Sequence, residues 1–188
     1  AGMMTIEGMD VRLPAVALMK NGTRFIAAMS AIELALAFVQ ENEPSIEKFA
    51  LIRRFLEYIS ANDPSLSDRM SFDLAWLKLA GYAPELTRCC YCGVKESPSW
   101  VLINKEGSIC CKACAESHGF KADILEGLRL KARSVLMGET ILFDAKESCA
   151  LSHAITDYMS FILGRPLKGR RVMEEMSELK ARSSKNLP

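Results

Sequence analysis

The chain has 188 residues, is 49% apolar, and carries 24 basic and 23 acidic side chains. That length and apolar share suffice for one domain with a sizeable core, and a net charge of +1 excludes a protein that meets nucleic acid through bulk basicity. No apolar stretch reaches the ~20 residues that cross a bilayer, since Glu33 interrupts the richest one. Charge is nevertheless uneven: residues 1–88 hold 9 basic and 11 acidic groups, whereas residues 119–188 hold 12 and 9.

Met29, Ile32, Leu36 and Val39 recur at helical spacing and predict an amphipathic helix over about residues 27–40. A second follows Pro44, with Ile46, Phe49, Ile52, Leu56 and Ile59 as its apolar stripe. Asp63-Pro64 reads as the cap and first-turn proline of a third, with Leu66, Met70, Leu74 and Leu77 inward and Gly81 and Pro84 as stops. The aromatic residues Phe49, Phe55, Phe72 and Trp76 fall near core positions of these helices and read as packing rather than base stacking.

Two Cys-x-x-Cys pairs come next, Cys89/Cys92 and Cys111/Cys114, separated by 18 residues. A two-residue gap lets both thiolates of a pair face one ion, and two such pairs complete a tetrahedral four-sulfur site for one structural Zn²⁺. Cys90 and Cys110 adjoin the pairs, but only the chosen register keeps the two-residue gap in both, with Gly93 supplying a permissive backbone after the first. An odd count of seven cysteines argues against disulfides, and a redox dithiol needs only one such pair. Catalytic zinc is disfavoured because four thiolates leave no open position. His118, four residues beyond Cys114, could replace a thiolate and otherwise reads as a surface histidine. Between the pairs, Trp100 to Ile103 and Ser108 to Cys110 predict a hairpin turning at Lys105-Glu106-Gly107.

Helical periodicity resumes with Ile124, Leu128, Ala132 and Val135, ended by Gly138. Asp144 and Glu147 predict a capping box for a further helix carrying Leu151, Ile155, Tyr158 and Ile162, ended by Gly164 and Pro166. Arg129, Lys131 and Arg133 read as solvated helix charge. A last helix from about Arg171 would turn Val172, Met176 and Leu179 inward. The fold class is therefore all-α, a helical bundle with an inserted four-cysteine ribbon. Its expected parts are residues 1–25 as remnant or linker, 26–85 and 119–188 as two helical parts packed together, and 86–118 as the ribbon.

Arg165, Lys168, Arg170 and Arg171 place four cations within seven residues at a helix start, where they oppose the helix dipole. The placement is explained if they bind an anion outside the fold, and the other reading is a solvated loop. No phosphate-cradling glycine loop or nucleophile motif is present, so no catalysis is expected.

The run Leu79-Ala80-Gly81-Tyr82-Ala83-Pro84-Glu85-Leu86-Thr87-Arg88-Cys89, leading into Cys92-Gly93, resembles the bacterial recombination mediator family RecO, as does Phe161-Ile162-Leu163-Gly164-Arg165-Pro166-Leu167-Lys168-Gly169-Arg170-Arg171. The resemblance covers most of the chain from about residue 25. It implies a helical, zinc-bearing domain that follows an oligonucleotide-binding barrel, for which residues 1–25 are too few. It also implies a protein that binds single- and double-stranded DNA, engages single-stranded DNA-binding protein and RecR, and helps load RecA; the many free thiols place it, as an expectation, in the cytoplasm. A zinc-ribbon module that binds proteins without nucleic acid is the alternative, with a redox enzyme third.

Overall fold

The computed structural model describes residue 8 and residues 16–39 and 44–173. A short helix α1 (Val16–Met19) leads into α2 (Gly22–Phe38), α3 (Ile46–Ala61) and α4 (Leu66–Leu79). Then come β1 (Ser99–Ile103), β2 (Ser108–Cys111), α5 (Lys112–Ser117), β3 (Ile124–Leu125), α6 (Glu126–Leu136) and α7 (Ala145–Leu163). Residues 168–173 are again helical. The expected positions Met176 and Leu179 lie outside the described residues.

Short polar side chains fix the helix starts by accepting otherwise orphaned backbone N–H groups. Asn21 accepts from Thr23 and Arg24 at α2, and Ser45 from Lys48 at α3. Both α4 and α7 open with a full capping box, Ser65 with Asp68 and Asp144 with Glu147. The cap of α4 is thus Ser65 rather than Asp63. Asp63 serves instead as a tie between helices, accepting from Arg24 Nε at 2.6 Å and Asn21 Nδ2 at 3.0 Å. With Arg24 Nη1 also donating to the Ser60 carbonyl, the start of α2 is bound to the end of α3, which makes the two an antiparallel hairpin.

The face that α2 buries is the opposite of the expected one. Ala27, Ala28, Ala31 and Leu34 are buried, whereas Met29, Ile32, Leu36 and Val39 are exposed, Leu36 by 78%. Small residues win because other backbone comes close: a Cβ on Gly169 would lie 2.9 Å from Ser30 Cα. A helix packed that closely needs Ala and Ser at the contact, whatever the bulk on its other side. The stripe of α3 is likewise only half right. Ile59 and Phe55 are buried and Ile52 and Leu56 half-buried, but Ile46 and Phe49 stand in solvent, Ile46 by 86%.

The core runs through Met70, Leu74, Trp76 and Leu77 of α4, Leu128 and Ala132 of α6, and Leu151, Ile155 and Met159 of α7. Phe72 stacks between Phe55 and Trp76 with ring centroids 4.4 Å and 6.1 Å away. Phe49 takes no part in this stack.

The hairpin forms as expected, antiparallel with Trp100 opposite Cys111 and Ile103 opposite Ser108. A third strand was not expected. Ile124, read as helical, lies in β3 and pairs antiparallel with β1 opposite Trp100, giving the order β2-β1-β3. Trp100, Ile109 and Cys110 are fully buried and belong to the same apolar cluster as the helices, so the sheet is welded to the bundle. Gly107 in the hairpin turn meets Tyr158 of α7, where a Cβ would fall 2.9 Å from the hydroxyl oxygen.

Candidate metal centre and cationic junction

The hairpin brings the two cysteine pairs to one place. Cys89 and Cys92 flank a tight turn in which the Gly93 N–H donates to the Cys89 carbonyl at 3.0 Å, with Gly93 at φ 74°. Cys111 ends β2 and Cys114 sits in the first turn of α5. The sulfurs of Cys89, Cys92, Cys111 and Cys114 all lie within 4.8 Å of one another, and those of Cys92 and Cys111 are 3.7 Å apart.

That spacing fits an ion. With metal–sulfur bonds of about 2.3 Å, a tetrahedral site has sulfur–sulfur edges of about 3.8 Å. Burial pushes the Cys89 thiol up, but N–H groups of Cys111, Cys92 and Tyr91 directed at its sulfur outweigh this and bring it down to about 6. The thiolate required of a ligand is therefore favoured at Cys89. The neighbouring cysteines stand apart from this set. Adjacent residues of a strand face opposite sides, so Cys110 turns into the core while Cys111 turns to the cluster, and burial pushes the Cys110 thiol up to about 12. Cys90 is exposed, its N–H donating to the Ile109 carbonyl at 2.9 Å. His118 Nδ1 lies 2.8 Å from the Cys114 carbonyl oxygen, where it donates as the Nδ1–H tautomer, and the histidine is not part of the four-sulfur set.

One buried cation holds the ribbon to α6. Arg129, expected to be solvated, is only 4% exposed. Its Nε and Nη2 grip the Glu126 carboxylate at 2.7 Å and 2.5 Å, and its Nη1 donates to the Leu86 carbonyl ahead of the first cysteine pair. The guanidinium also covers the Trp100 ring at 5.0 Å, while Trp100 Nε1 donates to Glu126. These hydrogen bonds from Arg129 hold the Glu126 carboxyl below its ordinary range.

The junction after α7 is arranged differently from its sequence reading. Gly164 ends α7 in the left-handed conformation, φ 63°, as expected. The anion at the next helix start comes from the chain itself: Glu33 of α2 accepts from the Lys168 N–H at 2.9 Å and the Gly169 N–H at 2.7 Å. Arg165 Nη1 lies 3.8 Å from the same carboxylate. Arg170 is 5% exposed and its Nη2 donates to Asp73 of α4, so it faces inward rather than toward solvent. Arg165, Lys168 and Arg171 are exposed. The four cations thus divide into one internal anchor and three that face outward. The one clue in sequence was Glu33, a single acid in the otherwise apolar run of residues 31–38.

A helical domain with a three-stranded ribbon that presents four convergent thiols is a module able to hold one metal ion. Comparison with known proteins gives the family. The family described as "Recombination protein O C terminal" matches residues 19–171, and the chain belongs to it. Among curated relatives, DNA repair protein RecO of Syntrophus aciditrophicus (strain SB) is 28% identical over 170 residues, covering 85% of this chain and 65% of the relative. DNA repair protein RecO of Anaeromyxobacter sp. (strain K) is 27% identical over 162 residues, covering 83% and 64%. DNA repair protein RecO of Pelobacter propionicus (strain DSM 2379 / NBRC 103807 / OttBd1) is 25% identical over 154 residues, covering 82% and 63%. The chain spans just under two thirds of the length of these relatives.

Proposed function

We propose that the chain is the helical, metal-bearing part of a DNA repair and recombination mediator, working in the cytoplasm by binding rather than by catalysis. The observation that carries this reading is the family match over residues 19–171, which takes in both the four-thiol cluster and the junction after α7. In this reading Cys89, Cys92, Cys111 and Cys114 hold one Zn²⁺, whose preference for four thiolates in a closed tetrahedral site suits a structural role. The partners are DNA, single- and double-stranded and without sequence preference, and through the whole mediator RecR, single-stranded DNA-binding protein and the RecA that it helps to load.

The DNA contact is assigned to the outward cations of the junction, Arg165, Lys168 and Arg171, with Arg170 holding their segment on α4 from inside. Phosphate contacts of this kind are sequence-independent, and each one neutralised adds about 0.7 to 0.9 to the salt slope of log affinity. Replacing Arg165 and Lys168 by Glu is expected to weaken DNA binding, measured by anisotropy across a salt series, and to flatten that slope by about 1 to 2. Affinity and slope equal to wild type would return these residues to plain solvated charge and favour the reading as a protein-binding ribbon without nucleic acid.

One groove suits the acidic, aromatic-ended tail of single-stranded DNA-binding protein that the family resemblance implies. It has a volume of about 440 Å³ between α3, α4 and residues 140–142, with Leu51, Phe55, Phe72 and Ile141 as apolar lining and Arg54 and Asp68 as its charged lining. A labelled tail peptide should bind more tightly with its final aromatic residue than without it, and lose that difference in Arg54→Glu. Equal binding by both peptides removes this groove from the proposal.

A further inference from the structure

Three rings stand in a row beside the cysteine cluster. Tyr91, between Cys90 and Cys92, lies nearly parallel to His118, with centroids 4.4 Å apart and an interplanar angle of 8°. Phe120 continues the row at 6.5 Å from His118 and 11°. All three are exposed, and none belongs to the apolar core.

Their orientation is set by the ribbon. Tyr91 rides on the first cysteine turn, where the Cys89 N–H donates to the Val94 carbonyl at 2.8 Å. His118 is held through Nδ1 to the Cys114 carbonyl and lies 3.1 Å from Ser117 Oγ. Phe120 is fixed by its N–H on the Ala115 carbonyl at 2.8 Å. Two chain segments 29 positions apart at their outer members, Tyr91 and Phe120, therefore converge to keep rings parallel in water, where hydrophobic burial contributes little. The 4.4 Å stack occupies the facing sides of Tyr91 and His118, so the flat π-faces such a row offers are those at its ends, on Tyr91 and Phe120, with His118 as the spacer that holds them aligned. A flat face selects a planar partner, and a nucleobase is planar on both sides, whereas an aliphatic or single aromatic peptide side chain needs enclosing walls. The exposed Lys121 directly after Phe120 supplies a cation for a backbone running alongside.

We propose that Tyr91, His118 and Phe120 form a stacking platform for the bases of single-stranded DNA. This rests on the DNA-binding reading above and adds to it a second contact of different chemistry. The junction cations attract phosphates of either form of DNA, while the rings can engage only unpaired bases. Stacking is uncharged, so the two contacts leave different marks on salt dependence.

The test is anisotropy titration of the 188-residue chain with an oligothymidylate and with a duplex of equal length, over a salt series, for wild type, Tyr91→Ala, Tyr91→Phe and Phe120→Ala. Loss of base stacking should weaken single-strand affinity at least about fivefold in Tyr91→Ala and in Phe120→Ala, leave duplex affinity and both salt slopes unchanged, and be restored in Tyr91→Phe. Metal content is measured alongside. Should Tyr91→Ala release metal, Phe120→Ala, which lies beyond the cysteine turns, decides the matter. Single-strand affinity within twofold of wild type in Phe120→Ala overturns the platform, as does an equal loss on duplex. Failure of the DNA reading looks different, since wild type would then bind neither form, and the platform falls with it.

Discussion

Asp73 and Arg170 form the pair with most at stake among single residues, because both are buried and each is the other's compensation. Burial pushes the Asp73 carboxyl up to about 6, against the pull of Arg170 and Arg69. A carboxyl raised in the folded state contributes stability below its ordinary value of 3.8, and that contribution is lost as pH rises through about 6. Arg170→Met removes the principal opposing cation and leaves a buried carboxylate without its partner. The expected cost at pH 8 is about 3–5 kcal/mol, read from urea unfolding, and it should shrink at pH 5, where Asp73 can take up a proton. Adding Asp73→Leu should recover most of the loss, since a well-packed apolar pair replaces a buried ionic one at little cost. A cost below 1 kcal/mol at pH 8 would mean that Arg170 is not an anchor and would return it to the outward cations. Arg129 is a second inward cation of this type. Arg170 was not legible as an anchor because its acid lies far along the chain, and Arg129 because a basic residue three places from an acid on a helix most often forms an exposed pair.

Local rules read well at the level of elements. The Asp144 and Glu147 box, the left-handed Gly164 and the hairpin between the cysteine pairs all follow from side chains acting within a few residues of themselves. The four-sulfur grouping was readable from its two-residue gaps, and strand alternation in β2 turns Cys110 away from the side that Cys111 faces. Tertiary choices read poorly. Bulk on Met29, Ile32 and Leu36 pointed to one face of α2, but the contact with Gly169 demanded small residues and selected the alanine face. The pairing of β3 involves two residues and has no periodicity of its own, so Ile124 was absorbed into the following helix. At the junction, density of charge was legible and its direction was not, because Glu33 and Asp73 come from α2 and α4. Leu36 and Val39 at the end of α2 and Ile46 and Phe49 at the start of α3 are exposed, at the ends opposite to those that Arg24 and Asp63 tie.

Across the molecule, the decisive question is whether a metal held by the four thiols would stabilise the ribbon alone or the entire domain. A two-stranded hairpin is marginal by itself, and four thiolates around one ion compensate for that. Here, however, β1 is also paired with β3, Trp100 and Ile109 are buried among the helices, and Arg129 ties Leu86 to α6. Ribbon and bundle share one apolar cluster and so should unfold as one cooperative unit. Metal analysis should find one zinc per chain, lost in Ser replacements of Cys89, Cys92, Cys111 or Cys114 and retained in those of Cys90, Cys110 and Cys149. Chelation should then lower a single thermal transition followed by helical circular dichroism, by about 2–4 °C for each kcal/mol of binding energy withdrawn, rather than split it in two. Two separate transitions after chelation, the first without loss of helix signal, would show that the buried face of the sheet does not couple the parts and that the ribbon is an independent insert. Zinc loss in Cys90→Ser with retention in Cys89→Ser would overturn the four-sulfur site itself, and with it the fixed turn on which Tyr91 is carried.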